Sequence, residues 1–174
     1  NIPENTLQIA NYAFYGCSKV TSVTIPDSVT SIGSSAFQSC SSLTSVIIPD
    51  SVTSIGTNVF YQCTSLTDVS LNSASANLQS AGYYFYNYVT SINIPENTLQ
   101  IANYAFYGCY KVTSVTIPDS VTSIGSQAFQ SCRSLISITI PNSVTSIEDY
   151  AFDNCTGLTS IIIGNSVTSI GDSA

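Results

Sequence analysis

Residues 43–65 read L-T-S-V-I-I-P-D-S-V-T-S-I-G-T-N-V-F-Y-Q-C-T-S, and Leu66 opens another copy of the same pattern. The slots Leu43, Val46, Ile48, Val52, Ile55, Val59, Phe60 and Cys63 are apolar, and the unit from Val112 fills them with Val112, Val115, Ile117, Val121, Ile124, Ala128, Phe129 and Cys132. The cysteines keep the same time: Cys17, Cys40, Cys63, Cys109, Cys132 and Cys155 lie 23 residues apart except for one gap of 46, and Tyr86 occupies the vacant slot. A strict period between about 20 and 50 residues is the mark of a solenoid or repeat array.

Within the unit, Val46 and Ile48 alternate with Ser45 and Ile47, a period-2 run rich in β-branched residues that predicts a strand. Pro49 lacks an N–H for the ladder and ends it. Pro-Asp-Ser is turn chemistry, with the Asp carboxylate suited to bond a backbone N–H two residues on. Val52–Ile55 forms a second short extended run, stopped by Gly56. Ala36–Cys40, with Ser34 and Ser35 as N-cap candidates, suits about one turn of helix. The expected fold is a β-rich α/β solenoid: a right-handed coil with one parallel β-sheet and short helical turns. The sheet strands are expected at Val20–Ile25, Leu43–Ile48, Leu66–Leu71, Val89–Ile94, Val112–Ile117, Leu135–Ile140 and Leu158–Ile163. No coil can bury its own apolar face, so stability comes from stacking. Phe14, Phe37, Phe60, Phe106, Phe129 and Phe152 are expected to form one aromatic stack, with Tyr83 in the corresponding place of the irregular unit.

Residues 1–174 are read as a single solenoid domain of about 7.5 units. A longer period is superimposed on the short one. Asn1–Cys17 recurs identically as Asn93–Cys109, so a block of four units has been duplicated. The irregular unit is Leu66–Tyr88, where Asn72 replaces the proline, Ser75 a core valine, and Tyr83–Tyr88 the A-F-x-x-C segment. The chain opens within a strand and stops one residue before the next expected Phe. This leads us to expect a piece of a longer array, or ends covered by other chains.

Only 7% of the residues are charged, and Lys19, Lys111 and Arg133 face ten acidic residues for a net charge of −7. That argues against nucleic acid or an anionic lipid surface as partner, both of which need basic clusters. No apolar run approaches the roughly 20 residues of a membrane span, so no membrane insertion is expected. There is no histidine. A Ser-His-Asp or Cys-His nucleophile is therefore impossible. No Gly-rich phosphate loop is present either, and the chain is read as a non-enzyme without cofactors.

The cysteine ladder is expected to be reduced and buried, each thiol acting as a small hydrophobe. Metal is not expected there, since zinc without histidine would need a cysteine cluster that this spacing does not make. Glu4, Asp27, Asp50, Ser73, Glu96, Asp119, Asn142 and Asn165 form a row after the strand. Stacked carboxylates there resemble a Ca²⁺ site, but Asn142 and Asn165 keep the turn while giving up the charge, which favours a turn role. Asn154-Cys155-Thr156 matches a glycosylation sequon with a core residue at its centre, so its use is not expected.

The outward strand positions are small and polar. Ser22, Thr24, Ser45, Ile47, Asp68, Ser70, Ser91, Asn93, Ser114 and Thr116 are the first candidates for binding. Regular threonines also suit ice, but Ile47, Asn93 and Ile162 spoil a lattice match. The second candidate is the tyrosine-rich irregular unit with Tyr83, Tyr84 and Tyr86. Tyr12, Tyr15, Tyr61, Tyr84, Tyr104, Tyr107, Tyr110 and Tyr150 fall at slots expected to face outward, and tyrosine is favoured in recognition surfaces.

The pattern L-x-x-V-x-I-P-x-S-V-x-x-I-G-x-x-A-F-x-x-C-x-x, seen in Val20–Cys40 and Val112–Cys132, closely resembles the BspA-like class of leucine-rich repeats across essentially the whole chain. The resemblance implies a leucine-rich-repeat superhelix in a secreted or cell-surface protein that adheres to host proteins such as fibronectin, to other cells, or to matrix; the flat Ser/Thr strand face also suits a protein or glycan ligand. It supplies no binding motif to transfer. The alternative is a structural repeat protein that associates with itself, coil end on coil end.

Overall fold

The structure, a computed structural model, describes residues 1–71 and 88–174, with only the backbone at Leu71. The expected place of Tyr83 in the aromatic stack and the binding candidates Tyr83, Tyr84 and Tyr86 therefore lie outside the described residues. The chain winds as a parallel β-solenoid with two strand-bearing sides. One side carries β2 (Ser22–Thr24), β4 (Ser45–Ile48), β6 (Asp68–Leu71), β7 (Ser91–Asn93), β10 (Ser137–Ile140) and β12 (Ser160–Ile163). The other carries β1 (Gln8–Ile9), β3 (Ser31–Ile32), β5 (Ser54–Ile55), β8 (Gln100–Ile101), β9 (Ser123–Ile124), β11 (Ser146–Ile147) and β13 (Ser169–Ile170). Every pairing is parallel and joins residues one repeat apart, as in Val46 with Val69 and Ile124 with Ile147. The register holds across the irregular unit, where Asp68 pairs with Ser91 and Val69 with Ile92.

Strands are shorter than the alternation predicts, because each begins two residues late. At Thr113–Ile117 a single bridge, Ser114 to Ser137, replaces a strand. Those five residues are identical to Thr21–Ile25, which contain β2. The difference therefore comes from the neighbouring coil rather than from local propensity.

The core follows the apolar slots. Val29, Ile32, Phe37, Leu43, Ile48, Val52, Leu135 and Val144 are among the fully buried side chains. Phe14 stacks on Phe37 with ring centroids 5.1 Å apart, and Phe37 on Phe60 at 5.6 Å. Phe106, Phe129 and Phe152 continue at 5.2 and 5.3 Å. Parallel rings at this separation are the geometry that the uniform direction of side chains in a stacked ladder enforces.

No helix forms among the described residues, which corrects the expected α/β class and its helical turns to an all-β coil. The reason lies in where the N–H groups go. Those of Ala36, Gln38 and Cys40 bond back three residues to Gly33, Ser35 and Phe37 at 3.2–3.3 Å, while those of Ser35, Phe37 and Ser39 donate to Thr57, Val59 and Tyr61 of the next coil at 2.8–3.0 Å. A single helical turn over Ala36–Cys40 would leave its first four N–H groups without an intrahelical partner, and one isolated turn is marginal in any case. Consecutive β-turns instead give three bonds along the solenoid axis. The alternation requires left-handed residues at Ser35 and Ser39, with φ of 55° and 62°. Neither serine is a helix N-cap. Ser34 links coils: its N–H donates to Asn11 Oδ1 at 2.8 Å, and its Oγ accepts from the Thr57 N–H at 3.1 Å.

The Pro-Asp-Ser corner is closed by its proline carbonyl, which accepts from Val29, Val52 and Val121 at 3.0–3.1 Å. Among the described residues Asp27 and Asp119 show no bond two residues on, contrary to the expected carboxylate cap. Serine does the linking there, as Ser28 and Ser120 donate to Thr6 and Thr98 carbonyls at 2.7 Å.

Candidate interaction surface

Threonine hydroxyls divide into two groups by what they bond. Thr30, Thr53, Thr122, Thr145 and Thr168 each donate to the carbonyl one repeat back, at 3.0–3.3 Å. The same carbonyls accept the backbone N–H of those threonines at 2.8–2.9 Å. Thr44, Thr90 and Thr159, at the entry to the strands, donate in the same way at 3.1–3.4 Å. These hydroxyls belong to the scaffold.

The outward strand positions behave differently. Ser22, Thr24, Ser45, Ile47, Asp68, Ser91, Asn93, Ser114 and Thr116 are all exposed, and Ser70 is half-buried. β-Pairing aligns them in two rows, Ser22–Ser45–Asp68–Ser91 and Thr24–Ile47–Ser70–Asn93. In the later coils Ser114, Ser137 and Ser160 form a separate row, and Thr139 pairs with Ile162 beside it. Among the described residues none of the hydroxyls of Ser22, Thr24, Ser45, Ser114 and Thr116 has a partner within the protein, so each is free to donate and accept toward a ligand. Ile47 stands 59% exposed between Thr24 and Ser70, and Ile162 61% exposed beside Thr139, each an apolar contact point. An open groove of about 610 Å³ runs over the later coils, lined by Ser114, Thr116, Ser137, Thr139, Asn142 and Ile162. Of these, only Ser114 and Thr116 are among the first candidates; Asn142 joins because its turn sits at the strand exit.

The acidic row is exposed at Glu4, Asp27, Asp50, Glu96 and Asp119. Asn142 accepts from the Asn165 N–H through Oδ1 at 2.9 Å, a link to the next coil rather than a bond within its own turn. Among the described residues no three His, Cys, Asp or Glu side chains converge to hold a metal.

All six cysteines are free thiols, five buried and Cys17 half-buried. The Sγ of Cys40, Cys63, Cys132 and Cys155 each donates to the carbonyl of the Phe in the coil before, at 3.1–3.3 Å. Burial pushes the Cys40 thiol up, and takes Cys63 and Cys109 up to about 12. A thiol held neutral in this way is a poor nucleophile and a poor metal ligand.

On the turn side, Tyr12, Tyr15, Tyr61 and Tyr150 are exposed, while Tyr104, Tyr107 and Tyr110 are half-buried. Tyr12 meets Tyr15 edge-on at 5.9 Å, and the duplicate pair Tyr104 and Tyr107 lies at 6.1 Å. Tyr12, Tyr104 and Tyr150 adopt φ of 58–60°. Two cations use the tyrosines as platforms: Lys111 Nζ sits 5.6 Å above the Tyr88 ring, and Arg133 Cζ 5.3 Å above that of Tyr110. Sequence reasoning missed this pairing, although each cation stands 23 residues after its ring.

A family model of the BspA type leucine rich repeat region, in 6 copies, matches residues 1–88 and 76–174. The chain belongs to the BspA-type leucine-rich repeat family. Solved leucine-rich repeat proteins share its coil. A leucine-rich repeat protein of T. pallidum is 30% identical with a TM-score of 0.55, covering 95% of this chain and 66% of its own. A leucine rich cell surface protein of Faecalibacterium prausnitzii is 26% identical with a TM-score of 0.51, covering 93% of this chain and 58% of that one. A leucine-rich repeat protein from Bacteroides ovatus is 25% identical at a TM-score of 0.53, covering 100% of this chain and 56% of that one. The chain thus spans less than two thirds of the length of each of these proteins. Comparison with curated proteins found no match. Among the described residues no helix is long and apolar enough to cross a membrane.

Proposed function

We propose that this BspA-type solenoid is a secreted or cell-surface adhesion module that recognises a host or matrix protein through its outward strand face. The observation that carries the reading is the division among hydroxyls. Those of Thr30, Thr53, Thr122, Thr145 and Thr168 on the other side, and of Thr44, Thr90 and Thr159 at the strand entries, bond the backbone of the preceding coil, whereas those of Ser22, Thr24, Ser45, Ser114 and Thr116 on the outward strands have no partner among the described residues. A flat, in-register surface of unsatisfied hydroxyls punctuated by Ile47 and Ile162 suits an extended protein segment or a glycan, with main-chain and side-chain polar groups alternating against it. Each contact is weak, so affinity accumulates with the number of coils engaged. The F. prausnitzii relative is described as a cell-surface protein, which supports the compartment. Binding rather than catalysis fits a chain without histidine and with the Cys40, Cys63 and Cys109 thiols held neutral by burial.

The test is a panel of immobilised matrix proteins, with fibronectin first, probed by biolayer interferometry. Saturable binding that weakens at least tenfold in Ser45→Lys and Thr139→Lys supports the reading. Binding to none of the panel, or binding indifferent to both substitutions, contradicts it.

A further inference from the structure

Two of the three basic residues of this chain are spent on one small patch. Lys111 lies over Tyr88, and Arg133 over Tyr110, each pair joining adjacent coils. Tyr110 and Lys111 are neighbours in sequence, so the four side chains run diagonally over three successive coils. Among the described residues neither cation makes an ion pair, although the chain carries ten carboxylates to three basic groups. The tyrosine faces hold the charges in place without neutralising them.

The two copies of the duplicated block differ at this patch. Over residues 1–43 against 93–135 only three positions differ: Ser18 becomes Tyr110, Ser35 becomes Gln127, and Ser41 becomes Arg133. Two of these three build one stacked pair, and they arise on adjacent coils in contact with each other. Lys19, the counterpart of Lys111, is present in the first copy without the tyrosine and arginine beside it.

We propose that Tyr88, Tyr110, Lys111 and Arg133 form a second interaction surface, separate from the strand face, that captures an acidic peptide segment of a partner protein. Lys111 and Arg133 are one coil and one residue apart, roughly 6 Å from coil and residue spacings of ~4.8 and ~3.4 Å. Carboxylates on the same side of an extended peptide repeat at about 6.8 Å, so two of them reach the two cations together. The guanidinium offers a bidentate fork to one carboxylate, and the ammonium a point charge to the other. A densely charged polyanion does not fit, because two cations supply too few contacts. The surface does not depend on the strand-face reading, and each fails or survives without the other.

The probe is a fluorescein-labelled peptide of four Glu-Ser dipeptides, followed by fluorescence anisotropy at low salt, with a Gln-Ser peptide and a heparin oligosaccharide in parallel. The Glu-Ser peptide is expected to bind and the Gln-Ser peptide not to. Tyr110→Ser with Arg133→Ser restores residues that the first copy carries in the same slots, so folding is preserved, and binding falls at least tenfold. The reverse change, Ser18→Tyr with Ser41→Arg, rebuilds the Tyr110–Arg133 pair but not the Tyr88 platform, and is expected to add a second, weaker site for the peptide. Absence of peptide binding, equal binding by the double variant, or binding of heparin in place of the peptide would overturn the proposal.

Discussion

The thiol of Cys63 donates to the Phe37 carbonyl oxygen at 3.1 Å, one coil back along the solenoid. Cys40 makes the same bond to Phe14, and Cys155 to Phe129. The A-F-x-x-C segment is thus a linked device: the ring stacks, the carbonyl accepts, and the cysteine of the following coil closes the contact. Cysteine suits this slot because its sulfur is small enough to bury and still donates weakly.

The neutral thiols make stability depend on alkaline pH. Burial holds Cys63 and Cys109 up to about 12 in the folded chain, above the ordinary cysteine value of ~8.5. The unfolded chain therefore loses these protons first, and stability, complete below pH ~8.5, falls as pH rises toward 12. Thermal unfolding between pH 7 and 10.5 is expected to show a falling Tm, with a shallower slope in Cys63→Ala. Native thiol titration is expected to find Cys17 reactive first. A flat profile in both proteins would contradict the burial.

Phe37 sits between two rings and is 1% exposed. Phe37→Ala is expected to cost ~3–5 kcal/mol in denaturant unfolding, as large aromatic truncations do. A loss below about 1 kcal/mol would mean that the stack is not the core.

Gly56 and Gly16 are fixed for different reasons. A Cβ at Gly56 would lie 2.3 Å from the backbone nitrogen of Ser34, so Gly56→Ala forces coils apart and costs about 1–3 kcal/mol or more. At Gly16 no atom lies within 4 Å, and only the φ of +71° resists a side chain, so Gly16→Ala costs nearer 1 kcal/mol. Denaturant unfolding of the pair tests this; a larger loss at Gly16 would reverse the account.

The repeat arithmetic made most of the fold legible. The buried slots from Leu43 to Cys63, the proline-ended strands and the phenylalanine stack all follow from residue type at a 23-residue period. The turn at Ala36–Cys40 did not follow, because A-F-x-x-C reads as helix in isolation. What decides against a helix is the bond from Ser35 and Phe37 to Thr57 and Val59, which exists only once a second coil is in place. The strand face was legible from the alternation of Ser45 and Ile47 with Val46 and Ile48. Which hydroxyls would be free was not: Thr24 and Thr30 look alike in sequence, and only the axial carbonyl beside Thr30 separates them. The pairing of Tyr110 with Arg133 was present in the spacing but required comparing the two copies of the duplicated block.

Recognition by the outward strand face is the central claim, and a charge scan reads it most directly. Thr24→Lys, Ile47→Lys and Thr116→Lys replace exposed side chains that make no hydrogen bond among the described residues, so each is expected to move Tm by no more than about 2 °C, the scale of ordinary surface substitutions. Measured by biolayer interferometry on immobilised fibronectin, the triple variant is expected to bind at least tenfold more weakly than the parent chain at matched Tm. Undiminished binding by that folded triple variant, together with loss on Tyr12→Ala or Tyr15→Ala, would contradict the account and move recognition to the tyrosine-bearing turns.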